Sequence, residues 1–348
     1  MIKKLHLLLI FLMVLGLANA QSVKRIELKK GKEKSGRNEH VLDYKNKLIL
    51  TESINFIDVY EKETKQGSYI LLQGKDLVKT YRSGMPDLPV FSRLVEIPLY
   101  HRAEVKVISF DEEIIELTKE NINQQIIPAQ PSLSKSDDPE KVKFYKDKQI
   151  YNTNDFYKRD ILYFENRGYL RDKQIGYLEV SPFEYNPVSN TLKILNNIVI
   201  EINFIEDKSA KTIPVKSVTS PYYNNIVNTI NQVDNAKSLI EGPVKYVIIS
   251  DRMFEETLQP FILWKTQKGF NVIAAYTDEI GTTKEAIKTY LQDLYENPDD
   301  EVAPTFILFV GDVGQIPVFA GTAGSHVTDL YYCEYTGDKL PEVFYGRF

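Results

Sequence analysis

The chain has 348 residues, 43% apolar and 26% charged, with 43 Lys plus Arg against 48 Asp plus Glu for a net charge of −5. That length is too great for one ordinary core, so at least two domains are expected, and the charge balance excludes a dedicated nucleic-acid or anionic-membrane binder. A single cysteine, Cys333, excludes an internal disulfide framework, so stability must come from packing or bound ions.

At the N-terminus Lys3 and Lys4 precede an apolar run from Leu5 to Leu17, followed by Ala18-Asn19-Ala20. This is the pattern of a secretory signal, residues 1–20, cut between Ala20 and Gln21. The run is well short of the ~20 residues a spanning helix needs, and no later segment supplies one. Export by signal peptide is therefore expected, with no membrane span.

Residues 21–215 read as β-rich. Short apolar or alternating runs recur between turn residues, among them Ser68–Leu72, Leu94–Pro98 and Ala103–Ile108. In Asn197–Phe204, Ile198, Ile200, Ile202 and Phe204 alternate with other residues, which predicts one buried and one wet face. Many short strands with turns between them predict a sandwich-like domain or an open barrel. The polar, proline-bearing stretch 130–148 predicts an exposed loop. Residues 216–243, rich in Asn and Ser and closing on Gly242-Pro243, read as a linker with one weak helix over 224–240, well suited to proteolytic separation.

From Val244 the pattern changes. Val244–Ile249 reads as an apolar strand and 259–268 as a helix, with Pro260 in its first turn and Gly269 as its left-handed cap. Asn271–Tyr276 reads as the next strand. Thr282 and Glu285 have the capping-box spacing, and Ile287, Tyr290, Leu291 and Leu294 fall on one helical face up to Asn297-Pro298. Phe306–Val310 is a continuous apolar run of the buried-strand type. The order β-α-β-α-β predicts a parallel sheet with helices on its faces. The chain stops in the strand-like run Glu342–Phe348, and with so few strands this α/β domain is expected to be truncated.

Three places could carry chemistry. Gly311-Asp312 directly follows a buried strand, which makes it either an acidic group at the carboxyl rim of a sheet or a plain turn. Within Thr336–Glu342, Asp338, a backbone carbonyl and Glu342 could converge on a hard cation such as calcium; the alternative is an acidic turn. His326 and Cys333 are the only nearby imidazole and thiol, and a lone cysteine in an aromatic, strand-like stretch is more often a small core residue than a nucleophile.

Several segments in order carry a family resemblance. Phe261–Phe270, then Phe306–Asp312 with Ile316-Pro317, Thr328-Asp329 with Tyr331-Tyr332, and Glu342–Phe348 resemble the start of the catalytic domain of gingipain-type cysteine peptidases, family C25. Gly84–Pro89 and Glu184–Leu192 resemble motifs of that family's propeptide. The resemblance implies a β-rich inhibitory propeptide followed by an incomplete caspase-like α/β domain over 244–348, from an exported cysteine endopeptidase zymogen. Its partners would be protein or peptide substrates, its own propeptide and an export machinery, often of type IX, with the protein extracellular or at the outer cell surface. The family's catalytic pair is a histidine in a Gly-His-Gly context and a later cysteine in an Ala-Cys context. Neither context occurs in residues 1–348, so no catalytic residue is assigned and the chain as given is expected to be inactive. The resemblance also implies structural calcium. Asp312 matches one liganding aspartate. Asp338, Glu342 and the carbonyl of Leu340 match a second site, with a further carbonyl from Tyr335 or Thr336. A sortase-like transpeptidase of the same family and a non-enzymatic exported binding or inhibitory protein are the alternative functions.

Overall fold

The computed structural model describes residues 23–29, 36–40, 46–80, 82–133, 138, 141–171, 173–208, 244–298, 302–322 and 326–348. The expected signal peptide and the expected linker helix at 224–240 lie outside the described residues.

The β-rich region contains β1 (Val23–Glu27), β2 (Gly36–His40), β3 (Lys47–Ser53), β4 (Phe56–Thr64), β5 (Gly67–Gln73), β6 (Leu77–Val78), β7 (Val90–Ile97) and β8 (His101–Glu116). After the short helix α1 (Lys148–Asn152) come β9 (Leu162–Leu170), β10 (Lys173–Val180), β11 (Phe183–Asn186) and β12 (Thr191–Glu206). They form three antiparallel sheets, ordered β1-β4-β5, β6-β7-β10-β9 and β11-β12-β3-β2, with β8 also paired to β12. One core joins all three, taking Ile57 from the first, Val95 and Leu178 from the second and Ile200 from the third. The alternation in β12 holds, since Ile198, Ile200 and Ile202 are fully buried. Its other face is drier than alternation alone predicts. Glu201 is enclosed there by Lys106, directly across the ladder, and by Lys47. The ladder slips at Asn196 and Asn197, where the Asn196 amide takes the place of a strand partner by bonding both the N–H and the C=O of Ile54.

The second region runs β13 (Lys245–Ser250), α2 (Glu255–Gln267), β14 (Asn271–Tyr276), α3 (Thr277–Ile280), α4 (Lys284–Glu296), β15 (Phe306–Val310), β16 (Phe319–Ala320), β17 (Val327–Thr328) and β18 (Phe344–Arg347). Four strands form a parallel sheet ordered β14-β13-β15-β18. Alternate strand residues face opposite helices. Ile248 and Val310 pack with Leu258 of α2, while Val247, Ile249, Ala275, Ile307 and Phe309 pack with Ile287 and Leu291 of α4. Strands buried on both faces carry no polar alternation, which is why Phe306–Val310 is apolar throughout.

Three local expectations need correction. The helix α2 begins at Glu255 rather than at 259, because Asp251 caps a preceding 3-10 turn by accepting from the Met253 N–H at 2.8 Å. Pro260 thus lies inside the helix, on an exposed face where water can answer the carbonyl it leaves unbonded. Thr283, not Thr282, caps α4, accepting from the Ala286 N–H at 3.2 Å. Leu330–Tyr332 is a 3-10 turn rather than a strand, although Cys333 is fully buried in the core as expected. The cap expected at Gly269 is present, with φ at +88° and the Phe270 N–H donating back to Lys265.

Candidate functional site

The sequence-derived acidic residues fall at opposite ends of the parallel sheet. Asp312 follows β15 at its carboxyl end, whereas Asp338 and Glu342 precede β18 at its amino end, and the two strands run parallel. Five strand residues separate the two ends by roughly 16 Å. Asp312 and the 338–342 loop therefore cannot share one cation.

At the carboxyl rim, Gly311 has φ of +129°, and a Cβ there would meet the Cβ of Gln315 at 2.9 Å, so the sharp exit from β15 requires glycine. Asp312 is exposed, and its Oδ1 accepts from the Val313 N–H at 2.7 Å. Arg347 holds this rim together. Its guanidinium forks onto Asp329 at 2.9 and 2.7 Å and donates to the carbonyls of Gly311 and Ile316. Beside it, between α2 and the sheet, opens an apolar groove of about 880 Å³ that reaches from Trp264 and Phe261 to Gly311 and Asp312. Lys265 lies over the Tyr246 and Trp264 rings in this groove, and burial lowers its pKa.

At the amino end, the chain between the 3-10 turn Leu330–Tyr332 and β18 folds back on itself. Glu342 is fully buried and accepts from the Tyr335 N–H at 2.7 Å and the Thr336 hydroxyl at 2.9 Å. Glu334, which sequence reasoning missed, is also buried and accepts from the Gly337 N–H. Burial first, and the like charges of Asp338 and Glu334 next, push the Glu342 carboxyl up to about 7. Among the described residues no three His, Cys, Asp or Glu side chains are placed to hold a metal ion jointly. The donors are nevertheless of the hard-oxygen kind that calcium takes, and a divalent cation is the counter-charge that would relieve Glu342. Glu342 thus fits such a group. Asp338 is differently engaged: Oδ1 accepts from the Leu340 N–H at 2.8 Å and Oδ2 from the Tyr169 N–H of the β-rich region at 2.5 Å. The Leu340 side chain packs on Leu170, Ile175 and Phe344.

Cys333 is a core residue. Burial, then the negative charges of Asp329 and Glu342, raise its thiol pKa well above normal. A thiol held protonated in an apolar core is a poor nucleophile. His326 is exposed.

Sequence reasoning also passed over Arg171, which is only 1% exposed. Its one legible signal is position, since it lies in the turn between two strand-like runs, where an arginine is ordinarily solvated. Asp329 was visible only as part of a motif, and Arg347 only as part of a strand.

The family model described as Propeptide_C25 matches residues 45–233, and that described as Peptidase family C25 matches residues 240–348. Lys-gingipain of Porphyromonas gingivalis is 33% identical over 303 residues, covering 85% of this chain and 18% of the relative. Gingipain R2 of the same species is 27% identical over 281 residues, covering 78% of this chain and 36% of the relative. A solved structure on the zymogenic latency of gingipain K from Porphyromonas gingivalis aligns with a TM-score of 0.50 and 29% identity, covering 53% of this chain and 99% of that one. The chain thus spans less than a fifth of the length of the Lys-gingipain it matches.

Proposed function

This chain belongs to peptidase family C25, and from that premise we propose that it is the leading portion of an exported cysteine endopeptidase zymogen. The observation that carries the reading is the tandem order: a propeptide match and a peptidase match follow one another in one chain. The β-rich region would act as the intramolecular inhibitor, and the linker 216–243 between β12 and β13 would be cut during maturation. Residues 1–20 would direct export, placing the protein outside the cell or on its outer surface after handling by a type IX machinery. Protein and peptide chains would be the substrates.

In the mature enzyme a cysteine thiolate would attack a peptide carbonyl while a histidine carries the proton. Residues 1–348 contain neither a Gly-His-Gly nor an Ala-Cys context. The pair is therefore assigned to sequence beyond these residues, for which the greater length of the relatives leaves room, and residues 1–348 alone are expected to be inactive. Calcium would be structural. At the amino-end loop it would be held by Glu342, Asp338 and the carbonyl of Leu340, where it would offset crowded carboxylate charge; Asp312 would contribute to a separate site at the rim.

The test is peptide hydrolysis by residues 1–348 and by the same chain with its natural downstream reading frame, before and after a cut within 216–243. Activity is expected only from the continued, cut chain and should disappear on thiol alkylation. Hydrolysis by residues 1–348 alone, or none by the continued, cut chain, overturns the reading. For calcium, chelator should lower the melting temperature of the parent and leave the Asp338→Asn variant nearly unmoved. No chelator effect on the parent counts against the site.

A further inference from the structure

The turn of the β9–β10 hairpin leaves the β-rich region and enters the other one. Arg171, at φ +62° in that turn, is almost completely buried, and its Nη1 and Nη2 donate to the main-chain carbonyls of Pro304 at 2.7 Å and Ala303 at 3.1 Å. Its guanidinium carbon also lies 5.6 Å from the centre of the Tyr295 ring. Two residues earlier the Tyr169 N–H donates to Asp338. This close seating needs Gly168: its φ is +122°, and a Cβ there would come within 2.3 Å of Asp338 Oδ2 and 2.7 Å of Asp338 Cβ. Beneath the turn, Leu170 and Ile175 pack with Leu340 and Phe344 of the opposite region.

A guanidinium stays charged and is costly to bury unless its donors are answered. Arg171 spends two of them on carbonyls of the peptidase region. An arginine forked onto two backbone acceptors, beside an aromatic ring and an apolar cluster, has the composition of an interface anchor. Ala303 and Pro304 precede β15, so the contact lies at the amino end of the sheet, away from the Gly311-Asp312 rim.

We propose that the turn Gly168–Arg171 is the latch by which the propeptide stays bound to the peptidase region once the segment between them has been cut, with Arg171 as its anchor. The proposal rests on the propeptide reading above and adds the surface that holds it. Because the latch is at the amino end of the strands, the residence time of the propeptide is set there and is separable from whatever it covers at the carboxyl rim.

The test uses the full chain with a site-specific protease sequence placed within 216–243. After cutting, dissociation of the propeptide from the immobilised peptidase region is followed in time. The parent halves should remain associated. Arg171→Ala should raise the dissociation rate at least tenfold, and Arg171→Lys should recover only part of it, because one ammonium nitrogen must replace the two guanidinium nitrogens that each meet a carbonyl. Gly168→Ala should also speed release, whereas Lys106→Ala, at a lysine that pairs with Glu201 within the β-rich region, should not. Melting of the uncut chains separates latch loss from misfolding, and Arg171→Lys, which keeps the charge, keeps the test decisive if Arg171→Ala fails to fold. Parent-like release in both Arg171→Lys and Gly168→Ala, or immediate separation of the parent halves, overturns the latch. Either result leaves the peptidase reading untouched, since that is tested by hydrolysis in the continued chain.

Discussion

Within the sheets of the β-rich region buried charge is met by another side chain, whereas at the strand ends of the α/β region it is met by backbone groups as well as side chains. Arg93 and Glu52 form an ion pair at 2.9 Å with side chains 2% and 0% exposed, and Glu201 is bonded by Lys47 and Lys106. Across the molecule, Glu342 accepts from the Tyr335 N–H and the Thr336 hydroxyl, and Arg347, besides its fork onto Asp329, spends one Nη on two carbonyls. The difference follows from architecture. Antiparallel ladders set side chains of known register opposite each other, as they do Glu201 and Lys106, while Arg93 and Glu52 meet between two packed sheets. A parallel sheet buries both faces and leaves its polar business to the loops at the strand ends, where free amides and carbonyls are at hand.

The sharpest way to break this contrast is to strip one partner from each interior. Glu52→Ala leaves the Arg93 guanidinium buried without its carboxylate and should cost about 3–5 kcal/mol. Hydrogen exchange should show the loss in β3 and β7 and not in β13 or β15. Phe309→Ala, which empties a fully buried position against Tyr332 at 4.9 Å between ring centres, should cost about 3–5 kcal/mol and show the reverse distribution. Spread of either effect over both regions would mean that they unfold as one unit.

The two carboxylates should respond to pH with opposite signs. Lysine hydrogen bonds lower Glu201 from 4.5 to about 2, so the stability it contributes is present above pH 4.5 and lost as pH falls toward 2. Burial raises Glu342 from 4.5 to about 7, so its contribution is full below pH 4.5 and lost as pH rises through 7. Melting curves in chelator should flatten between pH 4.5 and 7 in Glu342→Gln and between pH 2 and 4.5 in Glu201→Gln. Unchanged slopes in both variants would remove the contrast. The smallest expected effect is Thr283→Ala, which deletes the α4 cap and should cost about 1 kcal/mol in urea unfolding. A loss of that size from Thr282→Ala instead would restore the capping box read from sequence.

Much of the fold was legible because periodicity is a local property. Ile198, Ile200 and Ile202 declared a buried strand face, Phe306–Val310 a strand covered on both sides, and Ile287 with Leu291 the inner face of α4. The start of α2 was misplaced because Pro260 is a strong local signal for a first turn, while the deciding bond, Asp251 to the Met253 N–H, lies nine residues upstream. The cap of α4 slipped by one residue because Thr282 and Thr283 are adjacent and chemically alike. Only the backbone path decides which hydroxyl reaches an amide.

By itself, then, the sequence determined the β-rich region, the parallel α/β region and the motifs that place the chain in its family. All of these follow from residue order and short-range pattern. The tertiary structure decided which acidic residues are neighbours. It set Asp312 and Glu342 at opposite ends of one sheet, brought Glu334 beside Glu342, and gave Asp338 a bond to Tyr169, 169 residues away. It also turned Arg171 from an ordinary turn residue into a buried bridge to Ala303 and Pro304. No local pattern encodes such contacts, because they exist only once two separately patterned regions have packed together.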